Sequence, residues 1–303
     1  QISFDKLLED LKKDASMKLI AVAGADNLET LIASREAKDM KICDSILIGD
    51  EEKIKKIAKE SGIEISDFKI VNLIEPIEIS KYAVKLVHDG KADIYVKGNI
   101  ETPEVLLAIF DEEIGLGTNK CISVVAAFEL KGKMIFFTDP SIVTYPNLQE
   151  KVQLINNAVS FVRSTGIEVP KVGVVCALSI VNHNMIETFE AKQLTEMNEK
   201  GEIENCIVDG PLSLDLAISP ESAKIKQSSR KINGDADIVL FPDIHAANIS
   251  CKIMTQLGKA KSGNIIIGTS KPVILSSRSD SSQTKLNSIV LGLTYDKFYS
   301  KNK

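Results

Sequence analysis

Pro272-Val273-Ile274-Leu275 reads as an apolar strand that ends abruptly in Ser276-Ser277-Arg278-Ser279-Asp280-Ser281. An amphipathic helix follows, with Leu286, Ile289, Val290 and Leu293 on one side. A strand that ends in hydroxyls and opens a helix offers unpaired backbone N–H groups and the positive end of a dipole. Arg278 adds a planar, permanently charged fork suited to phosphate or carboxylate. The stretch reads as an anion site with nucleophile-sized polar groups beside it. The plainer reading makes Ser279, Asp280 or Ser281 an N-cap and Arg278 a surface charge. The stretch alone leaves both open.

Other apolar strands end in the same way. Val96 leads to Lys97-Gly98-Asn99, and Val208 to Asp209-Gly210-Pro211. Leu240 leads to Pro242-Asp243, with His245 and Asn248 following. Ligands of open α/β sheets bind outside the carboxyl ends of the strands, so these ends are expected to line one pocket. Asp-Gly-Pro and Pro-Asp also serve as plain turns. His88, His183 and His245 lie far apart, without metal-ligand spacing, and no metal centre is expected. His88 reads as a helix-end charge and His183 as a loop residue facing water. His245 has the best functional claim of the three. Gly24-Ala25-Asp26-Asn27 holds one glycine, so the dinucleotide fingerprint is missing, as is a Walker lysine.

These residues must be positioned by alternating strands and helices. Lys18–Ala23, Ser45–Gly49, Phe68–Leu73 and Asp93–Val96 read as strands with helices between them, which implies parallel strands covered on both faces. In the middle, Cys121–Phe128 and Lys133–Thr138 flank Lys131-Gly132 and read as an antiparallel hairpin. Asp139-Pro140 and Tyr145-Pro146 then break the chain. A chain of 303 residues suggests about two domains. The expected division is 1–141 with 266–303, and 142–265, two α/β domains around a cleft. A net charge of -5 and no tryptophan argue against a nucleic-acid partner and against base-stacking platforms. Five cysteines without a C-x-x-C pair read as reduced thiols filling core in a cytosol. Gln1–Leu8 reads as an amphipathic helix rather than a signal sequence, and no apolar run approaches the ~20 residues of a membrane span. The expected location is cytoplasmic.

Taken in order, six pieces resemble the phosphate acetyltransferase and phosphate butyryltransferase family. They are Val96-Lys97-Gly98, Asn156-Asn157-Ala158, Asp209-Gly210-Pro211-Leu212-Ser213-Leu214-Asp215, Pro242-Asp243-Ile244, Asn248, and Ser276 through Ser281. The resemblance runs from about Lys18 to Leu293, and the Ser-Arg-x-Asp-Ser ending is closer to the butyryl-type branch. It implies the two-domain fold of isocitrate and isopropylmalate dehydrogenases. It implies exchange of a short acyl group, butyryl or branched-chain, between coenzyme A and phosphate. It further implies that both are substrates, that no cofactor is permanently bound, and that the assembly is a homodimer or higher homo-oligomer.

On that resemblance Arg278 clamps phosphate, Ser277 and nearby N–H groups receive the oxyanion, and Lys97 is a second cation for phosphate. Gly98, Thr102, Asp209, Gly210, Pro211, Asp243, His245, Asn248 and Ser276 complete the substrate-binding set. The acetyl-type branch places its thiol base seven residues beyond the serine, which here is Thr284, so Asp280 is the nearest carboxylate for that role. Glu101 stands where the family has a histidine, and Gly117 where it has an arginine. His245-Ala246-Ala247-Asn248 replaces Glu-Ala-Gly-Asn. Those departures keep alternatives in view. One is a relative that binds coenzyme A or acyl phosphate without turnover. Another is a dehydrogenase of the same fold, which would need Asp209, Asp215 and Asp243 as a metal cluster. A third is a phosphate acyltransferase of lipid synthesis with a basic docking face.

Overall fold

The computed structural model describes residues 2–301. The chain forms two compact units, one of Ser3–Lys120 with the residues from Ser262 onward, the other of Cys121–Lys261. The first unit opens with α1 (Phe4–Lys12), β1 (Lys18–Ala23), α2 (Leu28–Asp39), β2 (Cys43–Gly49) and α3 (Glu51–Ser61). It continues through β3 (Lys69–Asn72), α4 (Pro76–His88), β4 (Ile94–Lys97) and α5 (Thr102–Ile109). The second unit carries β5 (Ser123–Leu130), β6 (Lys133–Thr138), α6 (Leu148–Ser164), β7 (Lys171–Val175) and α7 (Ile186–Glu199). Its chain goes on through β8 (Ile207–Leu212), α8 (Leu214–Ile218), α9 (Pro220–Ile225), β9 (Ile238–Leu240) and α10 (Ile244–Gln256). The chain returns to the first unit with β10 (Lys261–Ile267), β11 (Val273–Ile274) and α11 (Ser282–Lys301).

In the first unit the strands lie in the order β3-β2-β1-β4-β11-β10. All neighbours are parallel except β10 and β11. Ile20 to Ala23 and Ile94 to Lys97 are buried without interruption, as strands with both faces covered must be. The helix α4 packs on β1, and α11 packs on β4 and β11. The chain runs from β1 outward to β2 and β3, then places β4 on the other side of β1. That reversal between β1 and β4 is a topological switch point, where open α/β sheets leave room for a ligand.

In the second unit the order is β5-β6-β9-β7-β8. The expected hairpin is present: Lys131 and Gly132 have φ of 50° and 74°, the positive values that a two-residue turn matched to strand twist requires. The expected boundary at residue 141 falls after this hairpin, whereas the compact unit takes in both of its strands. The cause is long-range. Strand β6 pairs in parallel with β9, Phe136 opposite Ile238, and the ring of Phe137 packs 5.1 Å from Phe128 and 5.0 Å from Phe241. Among the described residues no helix is long and apolar enough to cross a membrane.

Candidate active site at the strand ends

Pairing of β4 with β11, Val96 opposite Ile274, brings Lys97 to Ser276 across 179 residues of sequence. The Lys97 Nζ donates to the Ser276 carbonyl at 2.9 Å, and the Ser276 Oγ donates back to the Lys97 carbonyl at 3.0 Å. The chain then turns. The Ser277 N–H donates to Asp280 Oδ2 at 2.8 Å, and the hydroxyls of Ser277 and Ser279 lie 2.9 Å apart. The Thr284 N–H donates to the Ser281 Oγ at 3.2 Å, so Ser281 caps the start of α11. Asp280 holds the turn, while Ser277, Arg278 and Ser279 are exposed on it.

A residue that the sequence reading left out completes this arrangement. Lys285, in the first turn of α11, donates from Nζ to the Ser277 carbonyl at 3.0 Å and lies 3.4 Å from the Ser276 Oγ. It is 3% exposed and Lys97 is 4% exposed. Neither forms an ion pair among the described residues. Burial first, and the neighbouring Lys285 charge second, push the Lys97 ammonium down to about 8, against the pull of Glu101 and Asp280. Burial also lowers Lys285, against Asp280 and Glu29. A lysine in the first turn of a helix opposes the helix dipole, and that was the local signal that could have singled it out.

Arg278 reaches outward. Its Nη2 lies 2.5 Å from Glu101 Oε1, with 55% of the arginine and 58% of the glutamate side chain exposed. Thr102, next to Glu101, is half-buried and opens α5. Gly98 has a packing reason of its own. A Cβ there would sit 2.2 Å from the Gly24 carbonyl oxygen, and one on Gly24 (φ +80) 2.8 Å from Asn99 backbone. The ends of β1 and β4 therefore touch at the switch point, joined by Gly98 N–H to Ala23 O at 2.8 Å and Asn99 N–H to Gly24 O at 2.7 Å. The Asn99 amide reaches Asp26 at 3.3 Å.

The remaining expected residues lie in the second unit. Asp209 is buried inside β8 rather than in a turn. Its Oδ1 accepts from Arg230 Nη2 at 2.7 Å and Nε at 3.2 Å, and its Oδ2 from the Ile232 N–H at 3.1 Å. Gly210 and Pro211 continue the same strand, and a Cβ on Gly210 would meet Val174 at 2.7 Å. Asp243 caps α10 by accepting from the Ala246 N–H at 2.9 Å. His245 Nε2 lies 2.7 Å from the Tyr145 hydroxyl, and the Asn248 amide donates to the Pro140 carbonyl at 3.0 Å. His245 and Asn248 thus hold the loop between β6 and α6, while Asp243 serves its own helix. Buried Asp139 organises that loop from within, accepting the N–H groups of Val124, Ser141, Ile142 and Val143. Burial outweighs those donors and raises its carboxyl above the ordinary range.

Two other features bear on the chemistry. Asp215 pairs with Lys226 at 2.7 Å, so Asp209, Asp215 and Asp243 are each engaged in a separate structural contact. They do not form the cluster that the dehydrogenase alternative needs. Burial pushes Cys176 and Cys206 up to about 11, and Cys43 and Cys251 up to about 12, which leaves these thiols poor nucleophiles at neutral pH.

Comparison with known proteins bears on the same residues. The family described as phosphate acetyl/butaryl transferase matches residues 74–293. A phosphate butyryltransferase of Clostridium beijerinckii is 42% identical over 291 residues, covering 95% of this chain and 96% of its own. A phosphate acetyltransferase of Thermotoga maritima is 38% identical, over 92% of this chain and 95% of its own. The crystal structure of a branched-chain phosphotransacylase from Enterococcus faecalis superposes with a TM-score of 0.82 at 30% identity, covering 92% of this chain and 99% of that one. The chain belongs to the phosphate acetyl/butyryl transferase family of acyltransferases.

Proposed function

We infer that the protein exchanges a short acyl group, butyryl or branched-chain, between coenzyme A and inorganic phosphate. The observation that carries this is the turn at the end of β11, where Ser277 and Arg278 stand exposed above two buried lysines. An acyl phosphate needs cations for its phosphate and donors for the oxyanion formed on its carbonyl. Arg278 supplies a fork for the phosphate, and its present partner is another anion, Glu101. Ser277 supplies a hydroxyl for the oxyanion. Lys97, beneath Ser276, places an amine on the side where phosphate departs. Gly98, Thr102 and Ser276 shape the floor of this site, and we assign Asp209, Gly210, Pro211, Asp243, His245 and Asn248 to the framework of the second unit that receives coenzyme A. We assign the two units to the isocitrate/isopropylmalate dehydrogenase-like fold, and the protein to a cytoplasmic homodimer or higher homo-oligomer with no permanently bound cofactor.

A thiol-release assay tests the function. Acetyl-, butyryl- and branched-chain coenzyme A are each mixed with the protein in phosphate, and free thiol is followed. Phosphate-dependent release is expected, fastest with the four- and five-carbon chains. One methylene changes discrimination by only about 1–3 kcal/mol, so acetyl should be slower rather than inert. Coenzyme A binding without release from any chain would point to the non-catalytic relative.

A further inference from the structure

We propose that Lys97 takes the proton of the coenzyme A thiol and hands it to the departing phosphate, and that Lys285 keeps Lys97 ready to accept it. The proposal rests on the phosphotransacylase reading of the site. A thiol with an ordinary pKa of ~8.5 needs a proton acceptor before it attacks an acyl carbon. Thr284 offers only a hydroxyl, and it accepts from Ser281 Oγ at 3.1 Å. The neighbouring carboxylates are engaged. Asp280 accepts the Ser277 N–H, Glu101 pairs with Arg278, and Asp26 accepts from Asn99.

What remains is a pair of buried amines on one turn. Lys97 comes from the end of β4 and Lys285 from the first turn of α11, and both reach Ser276. Two ammonium groups so placed, without an acid in contact, disfavour double protonation. Their hydrogen bonds decide which gives up its proton. Lys285 has two acceptors, the Ser277 carbonyl and the Ser276 hydroxyl, which favour its charged form. Lys97 has one, the Ser276 carbonyl, so as a neutral amine it can keep that bond and still present its lone pair. The charged groups acting on Lys97 are Lys285, Arg278, Glu101 and Asp280; those acting on Lys285 include Asp280 and Glu29 of α2.

The step balances. The S–H bond breaks and its proton joins the lone pair of neutral Lys97. The thiolate forms the C–S bond, and collapse of the tetrahedral intermediate breaks the bond from the acyl carbon to the phosphate oxygen. That oxygen takes the proton from the Lys97 ammonium, so hydrogen phosphate leaves and Lys97 is neutral again. Lys97 therefore works in its neutral form, and kcat should rise as pH rises through about 8. A lysine that only bound phosphate as a cation would make activity fall through the same range.

The test compares wild type with Lys97→Arg and Lys285→Met in the acyl phosphate to thioester direction. Arginine keeps the charge but cannot serve as the acceptor, so kcat should fall by ~10²–10⁴-fold with the KM for acyl phosphate changed only a few fold. In Lys285→Met the like charge is gone, and the rising limb of the pH profile should move to higher pH. Carbon-13 NMR of labelled lysines checks the same titration in folded wild type without using activity. One resonance should titrate near 8 and move up in Lys285→Met. Near-normal kcat in Lys97→Arg, or lysines that all titrate at ordinary values of ~10.4, would overturn the proposal. Wild type that releases no thiol or phosphate in either direction would sink the phosphotransacylase reading itself, which the activity of Lys97→Arg cannot do.

Discussion

Arg278→Ala is expected to lower kcat/KM for phosphate by ~10²–10³-fold, the range seen when one preorganised donor to a developing charge is removed. The fold should hardly respond. More than half of the side chain is exposed, and its ion-pair partner, Glu101, is exposed as well. Such a pair contributes about 0–1 kcal/mol, so the thermal midpoint should stay within about 3 °C of wild type. Arg278→Lys should recover only part of the loss, because an ammonium lacks the planar fork that grips two phosphate oxygens at once. The same ion pair predicts an opposite effect at its other end. Phosphate must compete with the Glu101 carboxylate for Arg278, so Glu101→Gln should lower the KM for phosphate severalfold. Initial rates with phosphate varied, beside a thermal melt of each variant, decide the matter. A folded Arg278→Ala protein with wild-type kcat/KM would remove Arg278 from the site.

The parts of this site that were legible in the sequence are those set by neighbours in the chain. The apolar run ending in Ser276-Ser277-Arg278 is a local signal, and it lies at a strand end in the structure. The hairpin at Lys131-Gly132 is equally local. What was not legible depends on pairing at a distance. Nothing near Thr138 shows that β6 will pair with β9, yet that pairing carries the hairpin into the second unit. Lys285 was missed because α11 looks amphipathic, with lysine on its wet side. In the structure α1 and α2 pack on α11 in addition to β4 and β11, so the expected wet side is covered and Lys285 is buried. Asp209-Gly210-Pro211 has the composition of a turn but lies within β8, because Arg230 supplies a charge that lets the aspartate stay buried.

That last contact carries the other large expected effect. Asp209→Ala should destabilise the protein by about 3 kcal/mol, the low end of the cost of removing one partner from a buried pair, because Asp209 is buried while 29% of the Arg230 side chain is exposed. It would take the acceptor from Arg230 Nε and Nη2 and from the Ile232 N–H, leaving the guanidinium only its bond from Nη1 to the Ser179 carbonyl. For a chain of this size the midpoint should fall by roughly 10 °C. Asp209→Asn keeps an acceptor for part of the network and should lose less. The double variant Asp209→Ala with Arg230→Met removes both charges and should be more stable than Asp209→Ala alone. Denaturant unfolding of the four proteins measures that coupling directly. The resemblance that places Asp209 among the substrate contacts makes a different demand. If Asp209→Ala kept wild-type stability but lost coenzyme A binding, the carboxylate would be acting on substrate rather than holding β8 to Arg230. Loss of stability that Arg230→Met partly restores, with binding retained in the folded fraction, would make Asp209 part of the frame.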